Sequence, residues 1–187
     1  MVVNTSQDFA AAVGDLMLMW ARLENTMSAT LRLQLVAQLR EPEELGCTAT
    51  QLAAAIYGSM RLKTSRDISK RILDVKCASD ERMAFHKEIF MQAAHIEDLR
   101  DKLAHWNHKP GTEPGIWRLD DFVTTKTLAS HKTYEISVTS IQKATADLQS
   151  VIDAAATLLL FPDLPEGREL PAWRYKPSLL RLLPRGK

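Results

Sequence analysis

Along the N-terminal stretch, Phe9, Val13, Leu16, Trp20, Leu23, Met27 and Leu31 return at steps of three and four residues. That is the period of one face of an α-helix, and a strand cannot use it. The spacing predicts a helix that starts after Ser6 as N-cap and runs to about Leu39, where Glu41-Pro42 stops it. The same period returns twice more. Behind Ser79 as a cap, Phe85, Ile89, Ile96, Leu99, Leu103 and Trp106 fall in one arc of a helix from Asp80 to about Asn107, closed by Lys109-Pro110-Gly111. From Thr139 or Ser140 as a cap, Ile141, Leu148, Val151, Ile152, Ala155 and Leu159 form the apolar stripe of a last long helix, ended by Pro162. Two shorter helices are expected between the first two: Thr50 through Tyr57, ending near Gly58, and about Met60 to Lys76 with Ile68, Ile72 and Val75 on its buried side.

Only one stretch changes period. Ile116-Trp117-Arg118-Leu119 and Thr133-Tyr134-Glu135-Ile136-Ser137-Val138 alternate every second residue, which predicts a small hairpin over 115–139. The fold expected is therefore mostly α, an antiparallel four- to five-helix bundle with a small β-hairpin insertion between the last two long helices. With 187 residues, 45% of them hydrophobic, one core is expected, over 1–161. The tail, 162–187, holds five prolines, yet Trp173, Tyr175, Leu179, Leu180, Leu182 and Leu183 are too apolar for a free linker. It is expected to pack on the bundle or on a second subunit.

The charges nearly cancel, 24 basic against 23 acidic, so no global field draws the chain to nucleic acid or to an anionic membrane. Any such binding needs a local patch. The helix ending at Lys76 offers one, since Arg61, Lys63, Arg66, Lys70, Arg71 and Lys76 outnumber Asp67 and Asp74. The same residues also suit an ordinary solvated face. Cys47 and Cys77 form no CxxC pair, no basic and apolar leader precedes the first helix, and the apolar run Ala154–Phe161 is far below the roughly 18 residues of a membrane span. A soluble cytoplasmic protein is expected. Gly111-Thr112-Glu113-Pro114-Gly115 lacks the lysine and hydroxyl of a phosphate loop and reads as a turn; no cofactor is implied.

Chemistry concentrates in Arg100-Asp101-Lys102-Leu103-Ala104-His105. Arg100, Asp101, Ala104, His105 and His108 project away from the apolar arc of their helix, together with Met83, Phe90, Ala93 and Ala94. An isolated chain would leave that apolar half wet, so Phe90, Ala93, Ala94, Glu97 and Ala104 are expected to meet a second copy across a twofold axis. A second helix of the same chain could cover them instead. Arg100 supplies a permanent guanidinium fork for phosphate, and Asp101 stands four residues from His105, within reach of its imidazole. The set suits RNA cleavage without metal: the 2′-hydroxyl as nucleophile, His105 moving protons, Arg100 neutralising charge on phosphorus. Arg61, Arg66, Lys70, Lys102 and His108 are candidate RNA contacts. Two other readings use the same residues: a polar network at a helix seam of a non-catalytic interaction module, and a metal stripe of Glu97, Asp101, His105 and His108, which the spacing favours less.

Arg100-Asp101-Lys102-Leu103-Ala104-His105-Trp106 resembles the R-[N/D/H]-x-x-x-H motif of the HEPN superfamily, near the end of that family's third long helix. Helix order agrees, with Trp20-Ala21-Arg22-Leu23-Glu24 in a long first helix, a basic middle helix, the motif helix and a closing helix, so the resemblance covers roughly residues 6 to 160. It implies an antiparallel bundle that dimerises so that two R-x4-6-H motifs line one cleft. It implies a metal-independent endoribonuclease of a toxin-antitoxin or other defence system, with an antitoxin or nucleotidyltransferase as partner. Arg100 and His105 would be the catalytic pair and Asp101 the residue that orients them. Asparagine is the commoner residue where Asp101 stands, and the hairpin and the tail lie outside the family pattern.

Overall fold

The computed structural model describes residues 6–38, 51, 61–76, 78–121, 132–160 and 171–184. Four α-helices stand among them: α1 (Ser6–Gln38), α2 (Leu62–Val75), α3 (Asp80–His105) and α4 (Val138–Leu160). Four strands form one antiparallel sheet in the order β1 (Asn107–Pro110), β2 (Ile116–Asp120), β3 (Thr133–Ser137), β4 (Arg181–Leu182). The chain is thus mostly helical with a small sheet. Among the described residues no helix is long and apolar enough to cross a membrane. Apart from Gln51, which is helical and exposed, the expected helix over Thr50–Tyr57 lies outside the described residues, as do both cysteines and residues 122–131 of the hairpin.

The chain divides into two compact units. Met1–Met19, Gln92–Leu148 and Ala172–Lys187 form one, which carries the sheet; Trp20–Met91 and Gln149–Pro171 form the other.

In the sheet unit, Phe9 and Ala12 of α1 are buried, as are Ile96, Leu99 and Leu103 of α3 and Ile141, Ala144 and Leu148 of α4. The Phe9 ring stacks on Trp117 of β2 at 4.0 Å with 14° between the planes. Alternation dictates this side of the sheet: Trp117 and Leu119 face the core, and register pairs them with Ile136 and Tyr134. The hairpin expected over 115–139 is present as β2 and β3, and strands at both edges widen it. Asn107–Pro110, expected as a helix end, is β1 instead, and α3 stops at His105. All four β1 residues are exposed, so no apolar alternation marked them, and their place is set by pairing with β2. Pro110 is tolerated because β1 is an edge strand.

Two glycines shape the β1–β2 turn. The Gly111 N–H donates to the Ile116 carbonyl at 2.8 Å, and a Cβ there would lie 2.9 Å from Ile116 Cγ2. Gly115 has φ 79°, a left-handed conformation that costs an L-residue roughly 1–2 kcal/mol. Gly115→Ala is therefore expected to lower unfolding free energy by about that much, read from urea midpoints.

β3 passes straight into α4. Ser137 is the cap, its Oγ accepting the Ser140 N–H at 3.1 Å, ahead of Thr139 or Ser140, which were expected to act. Ser79 caps α3 as expected, its Oγ accepting the Arg82 N–H at 3.3 Å.

In the helical unit, Trp20, Leu23, Met27 and Leu31 of α1, Phe85 and Ile89 of α3, and Val151, Ile152, Ala155 and Leu159 of α4 are buried. Polar side chains tie the helices to one another: Arg22 donates to Gln149 at 3.1 Å, Gln34 to the Leu159 carbonyl at 2.6 Å, Lys76 to Gln34 at 3.0 Å, and buried Arg82 to the Leu158 carbonyl. The buried line of α2 is Leu62, Ser65, Ser69 and Leu73. This corrects the expectation for that helix: Ile68 and Ile72 are only half-buried and Val75 is 83% exposed. The small serines at the centre of the line leave room for a neighbouring ring, that of His86.

Candidate functional site

The orientation of the Arg100 motif follows from its neighbours. Ile96, Leu99 and Leu103 are all but fully buried, so the opposite side of α3 must carry Arg100, Asp101, Ala104 and His105. The Arg100 side chain is 33% exposed and that of Asp101 53%; Ala104 and His105 are exposed. The Arg100 Nη1 donates to Asp101 Oδ1 at 2.7 Å. Asp101 thus bonds the guanidinium beside it, and among the described residues no hydrogen bond reaches the His105 ring. This departs from the expected Asp101–His105 contact, since a charge-assisted bond to a permanent cation is the stronger option. On an ideal helix, residues five apart diverge by about 140° around the axis and stand about 7.5 Å apart along it. Arg100 and His105 of one chain therefore flank a ridge rather than converge on a point.

Two clefts open in the sheet unit, of about 300 and 370 Å³; one is lined by Thr112, Glu113, Glu135, Ser178 and Arg181, the other by Ser6, Thr112, Pro114 and Trp117. Neither is lined by Arg100, Asp101 or His105. Asp101, Ala104 and His105 are exposed on the helix surface, with Arg100 half-buried beside them.

The outward side of α3 is not uniform along its length, and this corrects the expected dimer face. Phe90 is 3% exposed and Ala93 0%; the chain covers them itself. For Phe90 the reason is local: the His86 ring lies 4.6 Å from it, and His86 Nε2 is 2.8 Å from Ser69 Oγ of α2. The helix is buried on two sides in its first half, as the alternative reading had it. The uncovered remainder is Ala94, Asp101, Ala104 and His105, with Glu97 and Arg100 half-buried among them.

The candidate RNA contacts separate. Lys102 has turned toward the sheet: its ammonium pairs with Asp98 and lies 5.7 Å from the Trp106 ring centre and 5.3 Å from that of Tyr134, leaving the side chain 12% exposed. It is a packed cation, not a free one. His108 belongs to β1, with its ring edge-on to Phe9 at 5.4 Å. The residue is exposed overall, but partial desolvation of the ring lowers its pKa, and a hydrogen bond with the Leu103 backbone opposes the shift. Arg61, just before α2, and Lys70 on it are exposed, and half-buried Arg66 pairs with Asp67 at 3.1 Å; all three belong to the helical unit. Glu97, Asp101, His105 and His108 do not gather as a metal site, and no group of three such ligands does so among the described residues.

Sequence reading missed two buried polar groups. His86 is 4% exposed, and its pKa falls from 6.5 to about 4, mainly because burial disfavours the cation, with Lys70 and the Arg66 guanidinium adding to the shift. The spacing Ser65-x3-Ser69 facing a histidine on the next helix was its only trace. The other is Asp147 of α4, which takes hydrogen bonds from Gln92 Nε2 at 2.9 Å and from the Tyr175 N–H at 2.8 Å. Nothing in the sequence marked it.

Comparison with models of protein families, with curated proteins and with solved structures yields no match.

Proposed function

We propose that the chain is a HEPN-like, metal-independent endoribonuclease, of a toxin-antitoxin or defence kind, acting as a homodimer in the cytoplasm. The observation that carries this reading is the open second half of α3, where Arg100 and His105 reach solvent from one rigid element. Because the two diverge around the helix, a phosphate held by Arg100 of one protomer would meet His105 of the other when the uncovered turns pair about a twofold axis. Ala94 and Ala104 are small enough for close approach. In that cleft His105 takes the 2′-hydroxyl proton while the 2′-oxygen bonds to phosphorus and the 5′-oxygen leaves with a proton from water, giving a cyclic phosphate and a free 5′-hydroxyl; Arg100 neutralises the charge that grows on the phosphoryl oxygens. The basic side of α2 would contact RNA elsewhere, and an antitoxin or nucleotidyltransferase would be the protein partner.

One observation favours a second reading. The Arg100 fork already bonds Asp101, as in a non-catalytic interaction module whose polar residues fix a helix seam. Incubating purified protein with transfer and messenger RNA in chelator separates the two. Cleavage by the wild type that is lost in His105→Ala and in Arg100→Ala supports the nuclease; three identical traces leave the interaction module.

A further inference from the structure

In the sheet unit, residues 172–184 return as a strap, extended except for a 3-10 turn at Pro177–Leu179, and its contacts are those of a bound peptide. The strap exposes most of its side chains: Ala172, Arg174, Lys176, Pro177, Ser178, Arg181 and Leu182 are all exposed. Only Tyr175, at 1%, and Leu180, at 8%, are buried. Trp173, Leu179 and Leu183 are half-buried, and much of the remaining recognition falls on backbone. Asp147 accepts the Arg174 N–H at 3.1 Å on Oδ1 and 2.9 Å on Oδ2, and the Tyr175 N–H on Oδ2. Gln92 Nε2 donates to the Tyr175 carbonyl at 3.0 Å and to the same carboxylate. Asp147 and Gln92 are themselves 2% and 3% exposed. Buried polar groups are costly unless bonded, and here main-chain atoms of the strap supply much of their bonding. Further along, β4 adds to the edge of β3 with Leu182 opposite Tyr134 and Arg181 opposite Glu135, and the Leu183 N–H donates to the Thr133 carbonyl at 2.9 Å.

We infer that the sheet unit holds a peptide-binding groove, formed by Gln92, Asp147 and the β3 edge, and that the chain's own strap is its resident ligand. The groove reads a segment through its main chain, by strand addition at one end and by a carboxylate on two successive N–H groups at the other, and takes a buried tyrosine and a leucine five residues later as anchors. The partner it fits is a protein segment of that form, Tyr-x4-Leu with a 3-10 turn between the two anchors and extended backbone on either side, which enters when the strap leaves. The inference stands apart from the ribonuclease reading and uses none of its residues.

The test uses the full-length chain and a fluorescein-labelled synthetic peptide of residues 172–184, followed by anisotropy. Tyr175→Ala in the protein weakens the resident strap, and this variant is expected to bind the peptide at least tenfold more tightly than the wild type does. Peptide carrying Tyr175→Ala is expected to lose at least tenfold, whereas peptide carrying Arg181→Ala keeps its affinity. Adding Asp147→Asn to the Tyr175→Ala protein is expected to abolish binding. Arg174→Pro, which removes one N–H and leaves the anchor ring intact, serves as a second opened protein. A folded opened variant that ignores the peptide, or that binds the Tyr175→Ala peptide equally well, overturns the groove. So does unfolding of both variants, since the strap is then an inseparable part of the core.

Discussion

Replacing His105 by alanine is expected to slow RNA cleavage by about two to four orders of magnitude, the usual share of a positioned proton-transfer group, while moving stability by no more than about 0.5 kcal/mol. The second half of that statement follows from the structure. His105 is exposed at the last residue of α3 and its ring accepts and donates no hydrogen bond among the described residues, so truncating it opens no cavity and strands no partner. Arg100→Ala is expected to cost cleavage about 10²- to 10³-fold, and Arg100→Lys is expected not to restore it, because an ammonium cannot reproduce the planar fork. Asp101→Ala gives a contrast. Its bond to Arg100 is largely exposed and worth at most about 1 kcal/mol, so a modest change in rate is expected. Initial rates on labelled RNA in chelator, with urea unfolding of each variant, check all four.

Acid is expected to destabilise the fold through His86. The unfolded chain takes up a proton on this residue near pH 6.5, whereas the folded chain resists until about pH 4. The folded pKa is the lower one, so between these values the unfolded state binds more protons and stability must fall as pH falls. The contribution is whole above about pH 6.5, shrinks by about 1.4 kcal/mol per unit through the window, and reaches a loss of roughly 3 kcal/mol near pH 4, below which it declines no further. The physical cause is burial next to Ser69 and Phe90, strengthened by Lys70 and Arg66 and opposed by the hydrogen bond with the Arg66 backbone and by Asp74. Comparing urea unfolding of the wild type and His86→Gln at pH 7 and pH 4.5 isolates the residue. The wild type is expected to lose the more stability on acidification; equal losses would place the acid sensitivity elsewhere.

What the sequence revealed depended on whether a side chain's role follows from periodicity. The stripes of α1, α3 and α4 were legible because a helix that buries one face repeats it every 3.6 residues, and Phe9, Leu99 and Leu148 are buried where that period puts them. The pattern misled on α2, where serines rather than isoleucines occupy the centre of the buried line, since what approaches them is the polar ring of His86. It missed β1 and β4 because short exposed edge strands are specified by their neighbours' hydrogen bonds rather than by their own side chains. The motif's outward direction was legible from Leu99 and Leu103. How far the apolar face beside it stayed uncovered was not, because covering Phe90 took a contact between helices that one helix's period cannot report.

The composite site is tested most directly by pairing two disabled chains. His105→Ala and Arg100→Ala proteins, co-expressed with different affinity tags and purified through both, give only mixed dimers. Each variant alone is expected to be silent on RNA in chelator. The mixed dimer retains one guanidinium and one imidazole on opposite protomers and is expected to regain cleavage at a fraction of the wild-type rate. A mixed dimer as silent as its parents, or no doubly tagged species at all, would contradict a shared active site between two copies of α3.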